Sequence, residues 1–178
     1  MIIRVATDQD WPRIWPVFAQ VAAAGDTYAF PPDLTVESAR PEWMAPPPGQ
    51  TVIAAPEGNT EPGGVLGSAT MGPNRPGPGA HVATASFIVD PASQGQGVGR
   101  ALGRYAVDWA RRGGYHSIQF NAVVETNTVA VALWQSLGFE ILATVPEAFD
   151  HPRHGLVGLH IMYLRLGPGP ARTRGADS

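Results

Sequence analysis

Residues 89–112 read VDPASQGQGVGRALGRYAVDWARR, and this stretch decides the fold. It opens as the end of a strand: Ala85, Phe87 and Val89 alternate with Ser86 and Ile88 until Pro91 interrupts the pattern. It closes as a helix. Ala101, Leu102, Tyr105, Ala106 and Trp109 lie 3, 4, 7, 8 and 11 residues beyond Val98, which makes one apolar stripe. Arg111 and Arg112 suit the last turn, and Gly113-Gly114 stops it. Between strand and helix lies Gln94-Gly95-Gln96-Gly97-Val98-Gly99. Glycines there strip side chains from the first helical turn, so N–H groups without helical partners are bare and point outward. With the helix dipole they form a site for a phosphate or pyrophosphate. The spacing differs from the dinucleotide fingerprint G-x-G-x-x-G, and no Gly-Lys-Ser/Thr follows as in a P-loop. The glycines alone also suit a turn made only for close packing.

Composition narrows the class. The chain has 178 residues, 44% hydrophobic and 15% charged, which fits one domain with a sizeable core. A net charge of −3 gives no reason to expect a nucleic-acid partner. The absence of cysteine excludes disulfides, a thiol nucleophile and Cys-ligated metal sites. No apolar run reaches membrane-spanning length, and Met1-Ile2-Ile3-Arg4-Val5 leads into a strand pattern, so a soluble cytoplasmic protein without membrane partners is the expectation. The 21 glycines and 18 prolines concentrate in connections and mark boundaries.

In chain order, Ile2–Ala6 reads as a strand. Thr7 or Asp8 can cap a helix from about Asp10 to Ala24, with Pro12 in its first turn and Ile14, Val17, Phe18 and Val21 on one face. Gly25 to Pro32 is a loop whose Tyr28 and Phe30 either anchor it on the core or line a pocket. Thr35 can cap a second helix, Val36 to about Met44, before Pro46-Pro47-Pro48-Gly49 breaks the chain. Strands are expected at Thr51–Ala55, Gly64–Met71 and His81–Val89, with Pro56–Gly63 joining the first two. After the glycine helix come a strand Ser117–Val124, a short helix Asn127–Leu137 ended by Gly138, and strands Phe139–Val145 and Leu156–Leu164 joined by Pro146–Gly155. Residues 167–178 are expected to be a disordered tail after a single domain of residues 1–166. The order β-α-α-β-β-β-α-β-α-β-β implies an α/β mixed sheet with helices on both faces. The glycine helix crosses between parallel neighbours, and a cleft opens where those strands diverge.

At this point the chain resembles a family. Gln94-x-x-Gly97-x-Gly99 resembles the Q/R-x-x-G-x-G/A signature of the GCN5-related N-acetyltransferases (GNAT). Asn127, with Ala130, Leu133 and Trp134 and the closing Leu137-Gly138-Phe139, resembles that family's second motif. The resemblance runs from the first strand to about Leu166. It implies an acetyl-CoA-dependent N-acetyltransferase without a metal. The pyrophosphate would lie on the Gln94, Gly95, Gln96, Gly97, Val98, Gly99 and Arg100 turn. The pantetheine would lie along the backbone of Phe87, Ile88 and Val89. Asn127 would contact the pantetheine arm or an acceptor-side water. The implied chemistry is direct: an amine attacks the thioester, a base takes its proton, and backbone N–H groups hold the oxyanion. A homodimer would be usual for the family.

Two positions depart from the family pattern. Trp134 stands where many members have a tyrosine as general acid, so packing against core or CoA is expected of it. Ala83 stands near the usual glutamate base, flanked by Thr84 and Ser86. Neither usual acid nor usual base carries over, and a water relay could move the proton. Phe120-Asn121-Ala122-Val123-Val124-Glu125-Thr126-Asn127 resembles a subgroup acting on amino acids and proline analogues. There Asn121 would face a small amine acceptor; its other reading is a strand residue paired with a neighbour. Glu125 reads as a solvated carboxylate. The five histidines have no metal-ligand spacing on one helix. His151 and His154, and with them Glu147 and Tyr28, are either acceptor-side groups or solvated. A CoA-binding module without turnover is the alternative to an enzyme.

Overall fold

The computed structural model describes residues 1–31, 33–58 and 64–167. The strands are β1 (Ile2–Val5), β2 (Gln50–Ala55), β3 (Gly67–Pro73), β4 (Val82–Val89), β5 (Ser117–Val124), β6 (Glu140–His151) and β7 (Gly155–Arg165). The helices are α1 (Trp11–Ala24), α2 (Val36–Trp43), α3 (Val98–Arg112) and α4 (Thr128–Ser136). All seven strands form one sheet in the order β1-β2-β3-β4-β5-β7-β6. Among the described residues only the β4–β5 pair is parallel, and α3 is its crossover.

Strand alternation splits the core between the two faces. On one face Ile53 and Ile88 pack with Trp11, Ile14 and Phe18 of α1 and Trp43 of α2. On the other, Val52, Ala54 and Ala69 pack against Val98, Leu102 and Ala106 of α3. Ile118, Phe120 and Met162 continue that second layer under Val107 and Ala110 of α3 and Trp134 of α4. The buried face of α3 runs through Val98, Leu102, Gly103, Ala106, Val107 and Ala110, turned from the expected stripe, of which Ala101, Tyr105 and Trp109 are half-buried.

The expected elements are all present, with shifted ends. β3 starts at Gly67 rather than Gly64, and at Gly67 the chain passes under α3. A Cβ on Gly67 would lie 2.7 Å from the Ile88 carbonyl oxygen and 2.9 Å from a Val98 methyl. β6 and β7 are longer than their patterns suggested, and the expected loop Pro146–Gly155 shrinks to a turn at residues 152–154. A bulge makes this possible. Register slips between Val145 and Phe149, Glu147 takes φ +53°, and pairing resumes at Phe149 with Val157. Asn127 lies before α4 as its cap rather than inside it. The expected tail, Gly167 apart, and residues 59–63 of the β2–β3 connection lie outside the described residues.

Candidate functional site

The parallel pairing of β4 with β5 lasts for two positions only, Val82 with Ser117 and Ala83 with Ile118. Beyond them the strands part, and a cleft of about 1420 Å³ runs between them to the start of α3. The register of β3 on β4 settles which backbone groups face it. Asn74 N–H donates to the Val82 carbonyl at 2.7 Å, and Asp90 N–H donates to the Leu66 carbonyl at 2.9 Å. Even-numbered residues of β4 thus spend their polar groups on β3, and odd-numbered ones turn them toward the cleft. The expected Phe87, Ile88 and Val89 all border the cleft, but the middle residue differs from its neighbours. Ile88 lies opposite Ser68 in the sheet and buries its side chain under α1 and α2.

At the end of the cleft the glycines divide by role. Gly95 and Gly97 hold φ of +78° and +79°, and a Cβ on either would meet nothing within 4 Å, so they serve backbone shape and openness rather than packing. Gly97 caps α3 without a side-chain bond, and Ala101 N–H to the Gly97 carbonyl is the first helical bond at 3.0 Å. The amides of Val98, Gly99 and Arg100 precede it and have no partner inside the helix. Gly99 and Gly103 do serve packing. A Cβ on Gly103 would lie 2.8 Å from the Trp134 ring and 2.7 Å from Leu137. Gln94, Gly95, Gly97, Val98, Gly99 and Arg100 border the cleft, while Gln96 turns its side chain back to the Ala92 carbonyl at 3.3 Å.

The second motif forms one wall. Asn127 Oδ1 accepts the Ala130 N–H at 3.1 Å and so caps α4, which leaves its amide nitrogen to donate to another partner. Beside it, Thr126 Oγ1 is buried without a hydrogen-bond partner among the described residues. Nothing in the sequence singles out this threonine except its place before Asn127. Trp134 is 6% exposed, with its ring 4.6 Å from Phe87 and 5.0 Å from Phe120, an arrangement of packing.

The far side of the cleft comes from a bulge in β5, the α1–α2 loop and the β6–β7 turn. A bulge in β5 between Phe120 and Val123 turns Asn121 outward. Asn121 Nδ2 donates to Asn74 Oδ1 at 2.6 Å, and Gln119 Nε2 donates to Asn121 Oδ1 at 2.8 Å. Asn121 thus lines the cleft and is also held by neighbours. Tyr28 both borders the cleft and anchors its loop: its Oη accepts Phe87 N–H at 2.7 Å and donates to the Phe87 carbonyl at 2.8 Å. Burial pushes its pKa up to about 12. Phe30 is a correction: it stacks on Tyr28 and lies 4.8 Å from Phe18, in the α1–α2 core and away from the cleft. Glu147 is another. It sits exposed in the β6 bulge and does not border the cleft.

His151, Arg153 and His154 of the β6–β7 turn do border the cleft. His151 is not solvated but 5% exposed, and its Nδ1 accepts Arg153 N–H at 3.1 Å. That bond keeps the proton on Nε2. Arg153 faces Asp26 of the α1–α2 loop at 3.9 Å, a pair that bridges the two loops and that no local pattern announced. Glu125, expected in solvent, instead accepts the Gly158 N–H and ties β5 to β7. Among the described residues no group of three or more His, Asp or Glu is placed to hold a metal, and no helix is long and apolar enough to cross a membrane.

A mixed sheet thus opens between two parallel strands into a cleft that ends on a glycine-lined helix start with no side-chain cap. The chain matches the acetyltransferase (GNAT) family over residues 15–139, and it belongs to that family. It is 58% identical to a GCN5-related N-acetyltransferase from Kribbella flavida, with a TM-score of 0.86 over 92% of this chain and 96% of that one. It is 26% identical to yncA of Salmonella typhimurium, whose structure was solved with its cofactor acetyl-CoA, with a TM-score of 0.77 over 96% of each chain. A shorter match, 39% identical over 62 residues, is to the L-methionine sulfoximine/L-methionine sulfone acetyltransferase of Salmonella typhimurium, covering 35% of this chain and 36% of that protein. The chain spans less than half the length of the curated relatives it matches.

Proposed function

We propose that this protein transfers the acetyl group of acetyl-CoA to the amine of a small molecule, an amino acid or analogue being the favoured class. The observation that carries the reading is the cleft between β4 and β5 ending on the bare amides of α3. Those amides, with Gly95 and Gly97, would hold the pyrophosphate through N–H groups and helix dipole. The pantetheine arm would run along the cleft-facing backbone of Ala85, Phe87 and Val89. The unpartnered Thr126 hydroxyl and the free amide nitrogen of Asn127 offer it polar contacts from the opposite wall. Acetyl-CoA supplies the activated thioester. Asn121, fixed by Asn74, would orient the acceptor or a water that carries the amine proton away. Asp26 and Arg153 offer charges of both signs at the mouth, which suits an ammonium and a carboxylate on one molecule. The likeness to the methionine sulfoximine enzyme supports that class.

The test is a panel of amines, amino acids included, incubated with acetyl-CoA while free thiol is followed. Thiol release with an amino acid or analogue supports the reading. Binding of acetyl-CoA by calorimetry with no release from any amine supports a CoA-binding module without turnover, a reading favoured by Ala83 and Trp134 at the base and acid positions. We also propose a homodimer. β6 is the sheet edge, and Ile141, Leu142 and Val145, with Leu156 beside them, are 37–61% exposed. Sedimentation equilibrium should give twice the 18.8 kDa chain mass.

A further inference from the structure

Past Ala83, β4 has no strand neighbour on its cleft side among the described residues. The N–H and C=O of Phe87 face that side, yet neither is free, because one atom serves both. Tyr28 Oη accepts the N–H at 2.7 Å and donates to the C=O at 2.8 Å. A hydroxyl has one proton and two lone pairs, so this bridging position uses its donor and one acceptor fully. The contact is long-range, spanning 59 residues. It is also well supported: the ring stacks on Phe30 at 5.2 Å and meets Trp43 edge-on at 6.5 Å. Its phenol stays protonated throughout ordinary pH, since burial pushes its pKa up to about 12.

An extended amide-bearing arm laid along β4 pairs with the same two groups. Backbone groups facing the cleft recur at every second residue, and Phe87 lies between Ala85 and Val89. Tyr28 and the arm therefore address one donor and one acceptor. We propose that Tyr28 is a displaceable occupant of the Phe87 backbone, so that acyl-CoA binds by exchanging its pantetheine arm for the Tyr28 hydroxyl. This rests on the acetyl-CoA reading above and adds a control on it. The exchange lowers acyl-CoA affinity. It also couples the α1–α2 loop, which carries Asp26 as well as Tyr28, to the arrival of the co-substrate, so the acceptor side takes its final form only after acyl-CoA is seated.

The experiment is calorimetric binding to the parent and to Tyr28→Phe, which keeps the ring and its stacking and removes the hydroxyl. Two ligands are used: acetyl-CoA, and 3′-phospho-ADP, which has the phosphates but no pantetheine. The variant should bind acetyl-CoA roughly 3- to 30-fold more tightly, the scale of one or two hydrogen bonds no longer in competition. Its affinity for 3′-phospho-ADP should be unchanged. Equal or weaker acetyl-CoA binding by the variant overturns the proposal, because a hydroxyl that assists the arm would be missed. Equal tightening for both ligands overturns it too, since the effect would not arise at Phe87. If the parent binds neither ligand, the acetyl-CoA reading itself falls. Should the variant unfold, Tyr28→Trp or Tyr28→Leu replaces it, since each removes the hydroxyl.

Discussion

Gly97 shows how much one residue carries. It sits at φ +79° with nothing within 4 Å of where a Cβ would be. A leucine there would adopt a left-handed backbone at a cost of roughly 1–2 kcal/mol and would cover the open amides of α3. Gly97→Leu should therefore stay folded and lose measurable acetyl-CoA affinity in calorimetry; parent-like affinity would move the pyrophosphate elsewhere. Asn121 carries a different load. Its amide is not titratable at ordinary pH, so it serves by hydrogen bonding. Asn74 and Gln119 hold it in place at the cleft. Asn121→Ala should lower kcat/KM for the amine roughly 10- to 100-fold while leaving the acetyl-CoA Kd near the parent value. The parent's rate should rise with pH toward the amine's own pKa, because the attacking amine must be neutral. Steady-state kinetics with a verified acceptor checks both.

At the scale of elements, α4 is held by shape. Trp134 lies over Phe87 and Phe120, and the absent side chain of Gly103 lets α4 approach α3. Trp134→Phe keeps an aromatic body in that space and should retain most turnover. Trp134→Ala leaves a cavity and should cost about 3–5 kcal/mol in denaturant unfolding. A large turnover loss in the Phe variant at parent stability would give the indole N–H a part in the chemistry. The same spacing in the sequence that marks α4 as a motif says nothing of this packing, which depends on where β4 and β5 place their aromatic residues.

For the molecule as a whole, one ion pair ties the first strand to the first helix and sets an acid limit. Asp10 is 2% exposed and takes two bonds of 2.7 Å from Arg4 and two more from Thr7. The Arg4 guanidinium, helped by Thr7, lowers its pKa from 3.8 to about 2. A depressed carboxylate stabilises the fold above its unfolded pKa and ceases to do so as pH falls through the folded one. The contribution, on the order of 2 kcal/mol, is thus complete above pH about 4 and gone near pH 2. Unfolding midpoints measured from pH 6 to pH 2 should fall more steeply in the parent than in Asp10→Asn, which should be less stable at pH 6. Parallel curves would remove Asp10 from the acid limit.

What the sequence by itself determined is everything written in short-range spacing. The helical period of α3, the glycine turn before it and the order of strands and helices all follow from neighbours a few residues apart, because helix and strand periods are local. Even there the glycines could not be sorted: Gly95 and Gly97 shape an open turn, whereas Gly99 and Gly103 admit α4, and only the packed structure separates them. The acceptor side was decided by tertiary structure. Tyr28 meets Phe87 across 59 residues, Asp26 meets Arg153, and Asn121 meets Asn74. Glu147, next to the bulge that lengthens β6, was read as part of the site and is turned out to solvent. The physical reason is register. Which backbone groups of β4 face the cleft depends on how β3 pairs with it, and where the loops arrive depends on a bulge in β6, and neither is encoded within any one segment.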